Sequence, residues 1–145
     1  MGDCTAVGFS GTDGFQFGGQ NLLPSGSICT LSGFTQSSNT QTVTVKNSTG
    51  TVVAQISGNG GLSGTPQPMT GNTSFTADGK VYMLYFGNSG GQSNRVLYQA
   101  SDIPDQSTAT TYTFFWNFIT EDTPSGGDCD FNDATVTLFW NLKKG

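Results

Sequence analysis

The sequence has no histidine and few charges: Lys and Arg together number 5, and Asp and Glu number 10, in 145 residues. Without histidine, imidazole-based zinc sites and histidine acid–base catalysis are excluded. The basic residues form no interior cluster, so neither nucleic acid nor an anionic membrane surface is an expected partner. No apolar run reaches the roughly 20 residues of a membrane-spanning helix, so membrane insertion is not expected either.

Cysteine is also scarce. The three cysteines are an odd number without a CxxC pair, and they do not predict a disulfide framework. A bridge between Cys4 and Cys29 is one interpretation, and unpaired thiols, buried or loosely exposed, are the other. Residues 1–20 lack the basic and apolar regions of a secretory signal. The chain is therefore expected to be cytoplasmic, exported by another route, or a mature form given a new start at Met1.

What the chain does have is glycine, hydroxyl side chains and aromatic residues, with 21 Gly and 12% Phe, Trp and Tyr. Apolar residues recur at every second position, as in strands with one buried face. Strands are predicted at residues 27–34, 40–46, 51–56, 81–86, 95–98, 110–119 and 134–140, with a candidate strand near 15–17. We predict one all-β domain over residues 1–145, an antiparallel β-sandwich of about eight or nine strands.

Two connections carry local signals. Residues 57–71, with several glycines and two prolines, are expected to form a loop. The Asp78-Gly79 pair precedes the strand at 81–86 and is a hairpin signal. Trp116 and Trp140 lie in alternating strands, which favours the core over a sugar-stacking role for both.

The acidic residues are concentrated in one segment between two predicted strands. Five of the ten lie within the thirteen positions 121–133, namely Glu121, Asp122, Asp128, Asp130 and Asp133. Carboxylates this close repel one another unless a cation lies among them. Together with Asn132 they form an all-oxygen ligand set of the kind that calcium prefers. Gly126 and Gly127 permit a tight turn that returns Glu121 to the other ligands.

The spacing within this segment also favours a metal. Asp128, Asp130 and Asn132 recur at alternate positions, so an extended or curled backbone turns them toward one centre. An EF-hand is excluded, because Asp133 stands where that loop requires Gly and Phe139 where it requires Glu. A solvated acidic turn, or a calcium ion that only rigidifies the loop, is the alternative interpretation.

Two stretches resemble a known family, the calcium-mediated fucose/mannose-binding lectins of Gram-negative bacteria. The family's C-terminal third resembles Glu121-Asp122, then Asp128-x-Asp130-x-Asn132-Asp133, then an alternating strand to Trp140 and the terminal Gly145. The family's early segment resembles, without a gap, Leu23-Pro24 through Gly33-Phe34-Thr35-Gln36-Ser37-Ser38-Asn39-Thr40-Gln41-Thr42-Val43. The two stretches cover roughly half of the chain, and residues 1–20 form an extra N-terminal strand region outside them.

The resemblance implies a calcium site with two adjacent ions, of which at least one is expected here. The positions that would hold the first ion are Glu121, Asp128, Asp130 and Asp133. Those that would hold the second are Asp130, Asn132 and Asp133, so that Asp130 and Asp133 bridge the two ions. Gln36 stands where the family has a ligand Asn. Its amide oxygen would have to fold back, because the side chain is one methylene longer.

The resemblance also implies how a sugar binds and how subunits associate. Two neighbouring sugar hydroxyls would complete the coordination of both ions, which the residues Asp128, Asp130, Asn132 and Asp133 hold. Asp122 would accept a hydrogen bond from the sugar, and Ser37, Ser38 and Asn39 would set the monosaccharide preference. In the family the C-terminal carboxylate, here that of Gly145, reaches the partner subunit's site, so a homodimer is expected. The resulting prediction is a lectin for fucose- or mannose-type glycans that acts on extracellular glycans.

Three departures from the family keep alternatives open. They are Gln36, about three extra residues around 124–127, and a C-terminal tail about two residues longer. One alternative is a fucoside-binding lectin of the same fold that has lost the metal mechanism. Another is a structural or adhesive module stabilised by calcium that binds no sugar. Carboxylates crowded into one loop suit cation binding better than glycoside hydrolysis, so an enzyme is not expected.

Overall fold

The regular structure of the chain is entirely β in the computed structural model, which describes residues 2–20, 22–61, 64–104 and 111–141. The strands are β1 Phe9–Ser10, β2 Phe15–Gly18, β3 Ile28–Thr35, β4 Gln41–Lys46, β5 Val52–Gly58, β6 Gln67–Pro68, β7 Thr70–Asn72, β8 Ser74–Thr76, β9 Val81–Asn88, β10 Arg95–Pro104, β11 Thr111–Glu121 and β12 Ala134–Asn141. In these ranges no helix has the length and apolarity that crossing a bilayer requires.

The strands form two sheets whose pairings are all antiparallel. The first has the order β1-β10-β11-β12-β3-β6, with β8 also paired to β3, and the second has the order β2-β9-β4-β5-β7. The predicted all-β sandwich is therefore confirmed, and each predicted strand is present. The four additional strands, β1, β6, β7 and β8, have only two or three residues. Such segments are too short for a period of two to be visible in the sequence.

The chain crosses between the sheets where a loop and a hairpin were predicted. Within 57–71, β5 continues to Gly58, β6 pairs with the end of β3, and β7 pairs with β5. The predicted loop is thus wrong in part, since Pro68 lies at a sheet edge, where its missing N–H is tolerated. The hairpin at Asp78-Gly79 is also wrong, because β8 belongs to the first sheet and β9 to the second.

The core lies between the sheets and is built from alternate residues of their strands. In β12, Ala134, Val136, Leu138 and Trp140 are buried while the intervening residues are more exposed. Trp116 and Trp140 both belong to this core, as predicted, with 4% of each side chain exposed. The indole N–H of Trp140 donates to the Leu22 carbonyl oxygen at 2.7 Å, which satisfies the polar atom of an otherwise apolar ring.

The N-terminal region contributes one strand to each sheet, since β1 pairs with β10 and β2 pairs with β9. Cys4 forms a disulfide with Cys129 and not with Cys29, so the suggested Cys4–Cys29 pairing is wrong. The reason is burial: Cys29 lies in β3 with its side chain fully buried in the core, whereas Cys4 lies against Pro124 of the acidic loop. Burial raises the pKa of the Cys29 thiol to about 12, so this cysteine is a neutral core residue.

Candidate metal centre

Sheet pairing brings the two predicted site segments together. Because β11 and β12 are adjacent and in register up to Thr120 opposite Ala134, the acidic segment 121–133 consists of the last residue of β11 and the loop that joins the two strands. Strand β12 also pairs with β3, with Ala134 opposite Thr35, so residues 36–39 leave the sheet beside this loop. The Asp133 carbonyl oxygen accepts hydrogen bonds from Thr35 Oγ1 at 2.6 Å and from the Gln36 N–H at 3.3 Å.

An open cavity of about 770 Å³ lies between the two segments. Ten of the eleven residues that the sequence assigns to ion or sugar binding line it: Gln36, Ser37, Ser38, Asn39, Glu121, Asp122, Asp128, Asp130, Asn132 and Asp133. Gly145, the eleventh, lies outside the described residues. Carboxylate, amide and hydroxyl groups thus line the cavity together with several glycines, and such polar groups suit a cation or a polar ligand.

Carboxylate oxygens converge in two overlapping groups. One oxygen each from Glu121, Asp128 and Asp130 lie within 4.8 Å of one another, and the same holds for Glu121, Asp122 and Asp133. Glu121 belongs to both groups, whereas Asp130 and Asp133, the expected bridging pair, fall in different groups. The first group therefore matches three of the four positions expected for one calcium ion.

Glu121, which belongs to both carboxylate groups, has a buried oxygen whose interactions are incomplete. Its side chain is only 2% exposed. Oε1 accepts a hydrogen bond from the Thr123 N–H at 3.0 Å, but Oε2 is buried without a hydrogen-bond partner among the described residues. A buried carboxylate oxygen without a partner carries a desolvation cost of about 1–3 kcal/mol or more. A cation at the Glu121–Asp128–Asp130 group would supply the missing interaction, so these residues fit a bound metal ion.

The electrostatics of the cluster lead to the same conclusion. The pKa of Asp133 is raised to about 7, chiefly because burial disfavours its charged form and further because Asp122 and Glu121 repel it. A hydrogen bond from the Asp122 N–H to Asp133 Oδ2, at 2.7 Å, acts in the opposite direction. Burial, repulsion and a side-chain hydrogen bond with Glu121 thus favour the neutral form of Asp133, and a divalent cation among these carboxylates would favour their charged forms instead.

The backbone of residues 128–132 is curled in a way that separates ligands from packing residues. Cys129 and Phe131 have positive φ angles of 54° and 56°, a left-handed conformation that costs about 1–2 kcal/mol per residue for side chains of this kind. Both are half-buried, while Asp128, Asp130 and Asn132 between and beside them are exposed toward solvent. The expected alternation is therefore present, and it is built with local strain, which is common at ligand sites.

Asp122 has a different environment from Glu121. Its Oδ2 accepts from Ser37 Oγ at 2.5 Å, Asn39 Nδ2 at 3.1 Å and Gln41 Nε2 at 2.8 Å, and its Oδ1 accepts from Thr123 Oγ1 at 3.0 Å. The side chain is 5% exposed. Asp122 thus fastens the 36–39 segment to the acidic loop, while its acceptance of a sugar hydrogen bond stays a prediction.

The same network distinguishes the three residues of the short loop. Ser37 is buried, and its hydroxyl also accepts a hydrogen bond from the Asn39 N–H at 2.9 Å. Ser38 is exposed and Asn39 half-buried, so Ser38 has the side chain most open to a ligand. Gln41, whose Oε1 accepts from Asn94 Nδ2 at 3.0 Å, was not predicted. The polar residue inside an alternating strand was its only signal in the sequence.

Comparisons with known proteins agree with this arrangement. The family model described as fucose-binding lectin II (PA-IIL) matches residues 21–142, most of the chain, and leaves residues 1–20 outside the match. No curated protein matches in sequence. Among solved structures, the C-terminal domain of the BC2L-C lectin from Burkholderia cenocepacia is similar, with 22% identity and a TM-score of 0.64.

Two further solved structures are similar to the chain. They are a high-affinity mannose-binding lectin of Ralstonia solanacearum, with 20% identity and a TM-score of 0.65, and the lectin CV2L of Chromobacterium violaceum in complex with α-methyl-fucoside, with 18% identity and a TM-score of 0.60. In all three comparisons the match covers 88% of this chain and 96% of the other. At such identities the likeness establishes the fold.

Proposed function

The chain belongs to the fucose-binding lectin II (PA-IIL) family, and we propose that it binds fucose- or mannose-type glycans through calcium held by residues 121–133. Membership confirms the resemblance noted in the sequence. It also confirms that the chain is not an enzyme, because the family is defined by carbohydrate binding. The two relatives whose names include a mannose-binding activity or a bound fucoside support the sugar class.

The observation that carries the calcium proposal is the buried Glu121 Oε2, which has no hydrogen-bond partner within the described part of the chain. Glu121, Asp128 and Asp130 would hold the first ion, because their oxygens already converge within 4.8 Å. Asn132, Asp133 and Gln36 line the same cavity and would hold a second ion. Bound calcium would supply positive charge and open coordination positions to two neighbouring hydroxyls of a sugar.

The residues of the short loop would then choose the sugar. Ser38 and Asn39 face the cavity beside the acidic residues, and Ser37 is held in place by Asp122. Hydroxyl and amide groups there can donate to and accept from sugar hydroxyls that calcium does not engage. We propose that Asp122 acts mainly by orienting this loop, and that any sugar contact of its own is secondary.

We further propose a homodimer in which the Gly145 carboxylate approaches the partner subunit's site. The support is the resemblance of the C-terminal strand together with a row of residues on the outer face of the first sheet. In this row Phe34 and Ile119, 52% and 38% exposed, both pair with Thr135 of β12. Exposed apolar side chains in one row fit a subunit contact. Light scattering on the purified protein would give the mass of a monomer if this proposal is wrong.

The compartment is proposed from the disulfide. A bond between Cys4 and Cys129 persists in oxidising surroundings and is rare in a reducing cytoplasm. We therefore propose that the protein acts outside the cytoplasm, where the glycans that it would bind are found. Cell fractionation with antibody detection tests this directly, and exclusive recovery in the cytoplasmic fraction would contradict it.

A glycan array in calcium and in EDTA tests the main proposal. We expect binding to fucose- and mannose-terminated glycans in calcium, and its loss in EDTA, because none of the described residues that line the cavity is basic. Equal binding in both buffers would indicate a lectin without the metal mechanism. If no glycan on the array is bound and calcium raises the melting temperature, the protein would be a calcium-stabilised module instead.

A further inference from the structure

The N-terminal segment lies directly on the acidic loop, although residues 1–20 fall outside the family match. The Gly2 N–H donates to the Gly127 carbonyl at 2.7 Å, and the Gly126 N–H donates to the Gly2 carbonyl at 2.9 Å. The Cys4 N–H donates to the Pro124 carbonyl at 2.9 Å. The segment therefore adds a short antiparallel pairing to residues 124–127, the part of the loop that is longer than the family pattern.

The disulfide extends this contact to the ion ligands themselves. Cys129 stands between Asp128 and Asp130, two of the three residues whose oxygens converge with that of Glu121. Its backbone is in the left-handed region, with φ at 54°. The bond to Cys4 constrains this conformation, and a Cβ at Gly2 would lie only 2.8 Å from Cys129 Sγ. The disulfide thus acts at one of the two left-handed residues of the ligand segment.

A second support reaches the loop from another side. Gln92 Nε2 donates to the Ser125 carbonyl at 3.0 Å, and the Ser125 N–H donates to Gln92 Oε1 at 2.9 Å. The Gln92 carbonyl in turn accepts from Asn88 Nδ2 at 2.9 Å. Residue 125 is therefore held by a pair of hydrogen bonds from the connection between β9 and β10, and the loop is fixed on two sides.

We propose that the N-terminal segment and Gln92 are working parts of the ion site, and that Cys4 and Gln92 act as positioning residues that raise its affinity for calcium. The inference rests on the proposed calcium site. Without a cation the crowded carboxylates repel one another, and a loop without other supports would have to be ordered when the ion binds. A loop already held by a disulfide and by Gln92 loses less freedom on binding, so it binds calcium more tightly.

The test is calorimetric titration of calcium chloride into protein stripped with EDTA, at a temperature where circular dichroism shows each variant folded. The double variant Cys4→Ser/Cys129→Ser is expected to bind calcium about 10-fold to 100-fold more weakly, as with supporting residues of other metal sites. Gln92→Ala is expected to weaken binding less, and it keeps the test valid if the double variant does not fold.

Two controls separate positioning from general stability. Cys29→Ala removes a core thiol and should lower the melting temperature while leaving calcium affinity unchanged. Gln55→Ala removes a side-chain hydrogen bond to Thr44 Oγ1, distant from the loop in the second sheet, and should also leave affinity unchanged. If both test variants bind calcium as tightly as the unaltered protein, the positioning role of Cys4 and Gln92 is overturned, while the proposed calcium site is not affected. No calcium uptake by the unaltered protein would overturn the proposed function and the inference with it.

Discussion

Two neighbouring carboxylates of the cavity, Asp122 and Glu121, are both buried but differ in their hydrogen-bond partners. Asp122, 5% exposed, accepts hydrogen bonds from four side chains, three of them on or next to the 36–39 segment. Glu121, its neighbour in sequence and 2% exposed, keeps one oxygen without a partner among the described residues. Similar burial with different partnering separates a carboxylate that stabilises the fold from one available to a ligand.

The largest effect is expected from Glu121→Gln. The amide cannot supply the charge that completes the Glu121–Asp128–Asp130 group, so calcium affinity should fall about 100-fold, or about 3 kcal/mol. In EDTA the melting temperature should stay the same or rise, because a buried charge without a partner has been removed. Titration calorimetry and thermal unfolding measure the two effects.

The matched control for this variant is Asp13→Asn, which makes the same chemical change at an exposed position. It should alter neither calcium affinity nor stability. Wild-type calcium affinity in Glu121→Gln would contradict the assignment of Glu121 as a ligand. A large drop in melting temperature in EDTA would show instead that Glu121, like Asp122, stabilises the fold.

The next effect is expected from Asp122→Asn, and it should have the opposite pattern. An amide oxygen at the Oδ2 position could still accept from Ser37, Asn39 and Gln41, but without the carboxylate charge it accepts more weakly, and the N–H2 group would take the place of Oδ1 beside Thr123 Oγ1. The loss of hydrogen bonds to a charged acceptor should cost about 2 kcal/mol of stability. Thermal unfolding should show the decrease both in calcium and in EDTA, and an unchanged melting temperature in EDTA would contradict it.

Much of this site could be predicted from the sequence because its signal is local. Five carboxylates in thirteen positions predict a cation site through their mutual repulsion, and the long strands appear through a period of two. The ten described residues assigned to the site do line one cavity. What the sequence could not show was the structural role of Asp122, because its partners Ser37, Asn39 and Gln41 are distant in sequence and only the folded sheets bring them near.

The disulfide shows the same limit. Pairing of Cys4 with Cys129 depends on the N-terminal segment folding back over residues 124–127, through backbone hydrogen bonds that have no residue signature. Cys29 appears a plausible partner in the sequence only because its burial in β3 is not known in advance. Short strands such as β6 and β7 were missed for a related reason. They are strands because they pair with β3 and β5, and two or three residues are too few to show a strand pattern in the sequence.

A smaller effect is expected on the Asp122 side, where Ser37 and Ser38 allow a direct comparison. Ser38→Ala should weaken binding of methyl α-fucoside by about 1 kcal/mol, roughly fivefold, with no change in melting temperature. Ser37→Ala should lower the melting temperature, because its hydroxyl donates to Asp122 and accepts from the Asn39 N–H. Calorimetry with the sugar at saturating calcium, alongside thermal unfolding, separates them. Equal sugar affinity in Ser38→Ala and the unaltered protein would remove Ser38 from the sugar contact.

The smallest effect is expected at Thr120. This residue tests whether a buried polar atom without a hydrogen-bond partner indicates the ion site only when it carries a charge, as in Glu121. Thr120 Oγ1 is also buried without a hydrogen-bond partner among the described residues, but a neutral hydroxyl offers a cation far less than a carboxylate does. Thr120→Val keeps the shape and removes the orphaned polar atom, so stability should be unchanged or rise by up to about 1 kcal/mol. Calcium affinity should not change. If calorimetry instead showed weaker calcium binding in Thr120→Val, the uncharged Thr120 hydroxyl would also contribute to the ion site. Thr120 would then be assigned to that site together with Glu121.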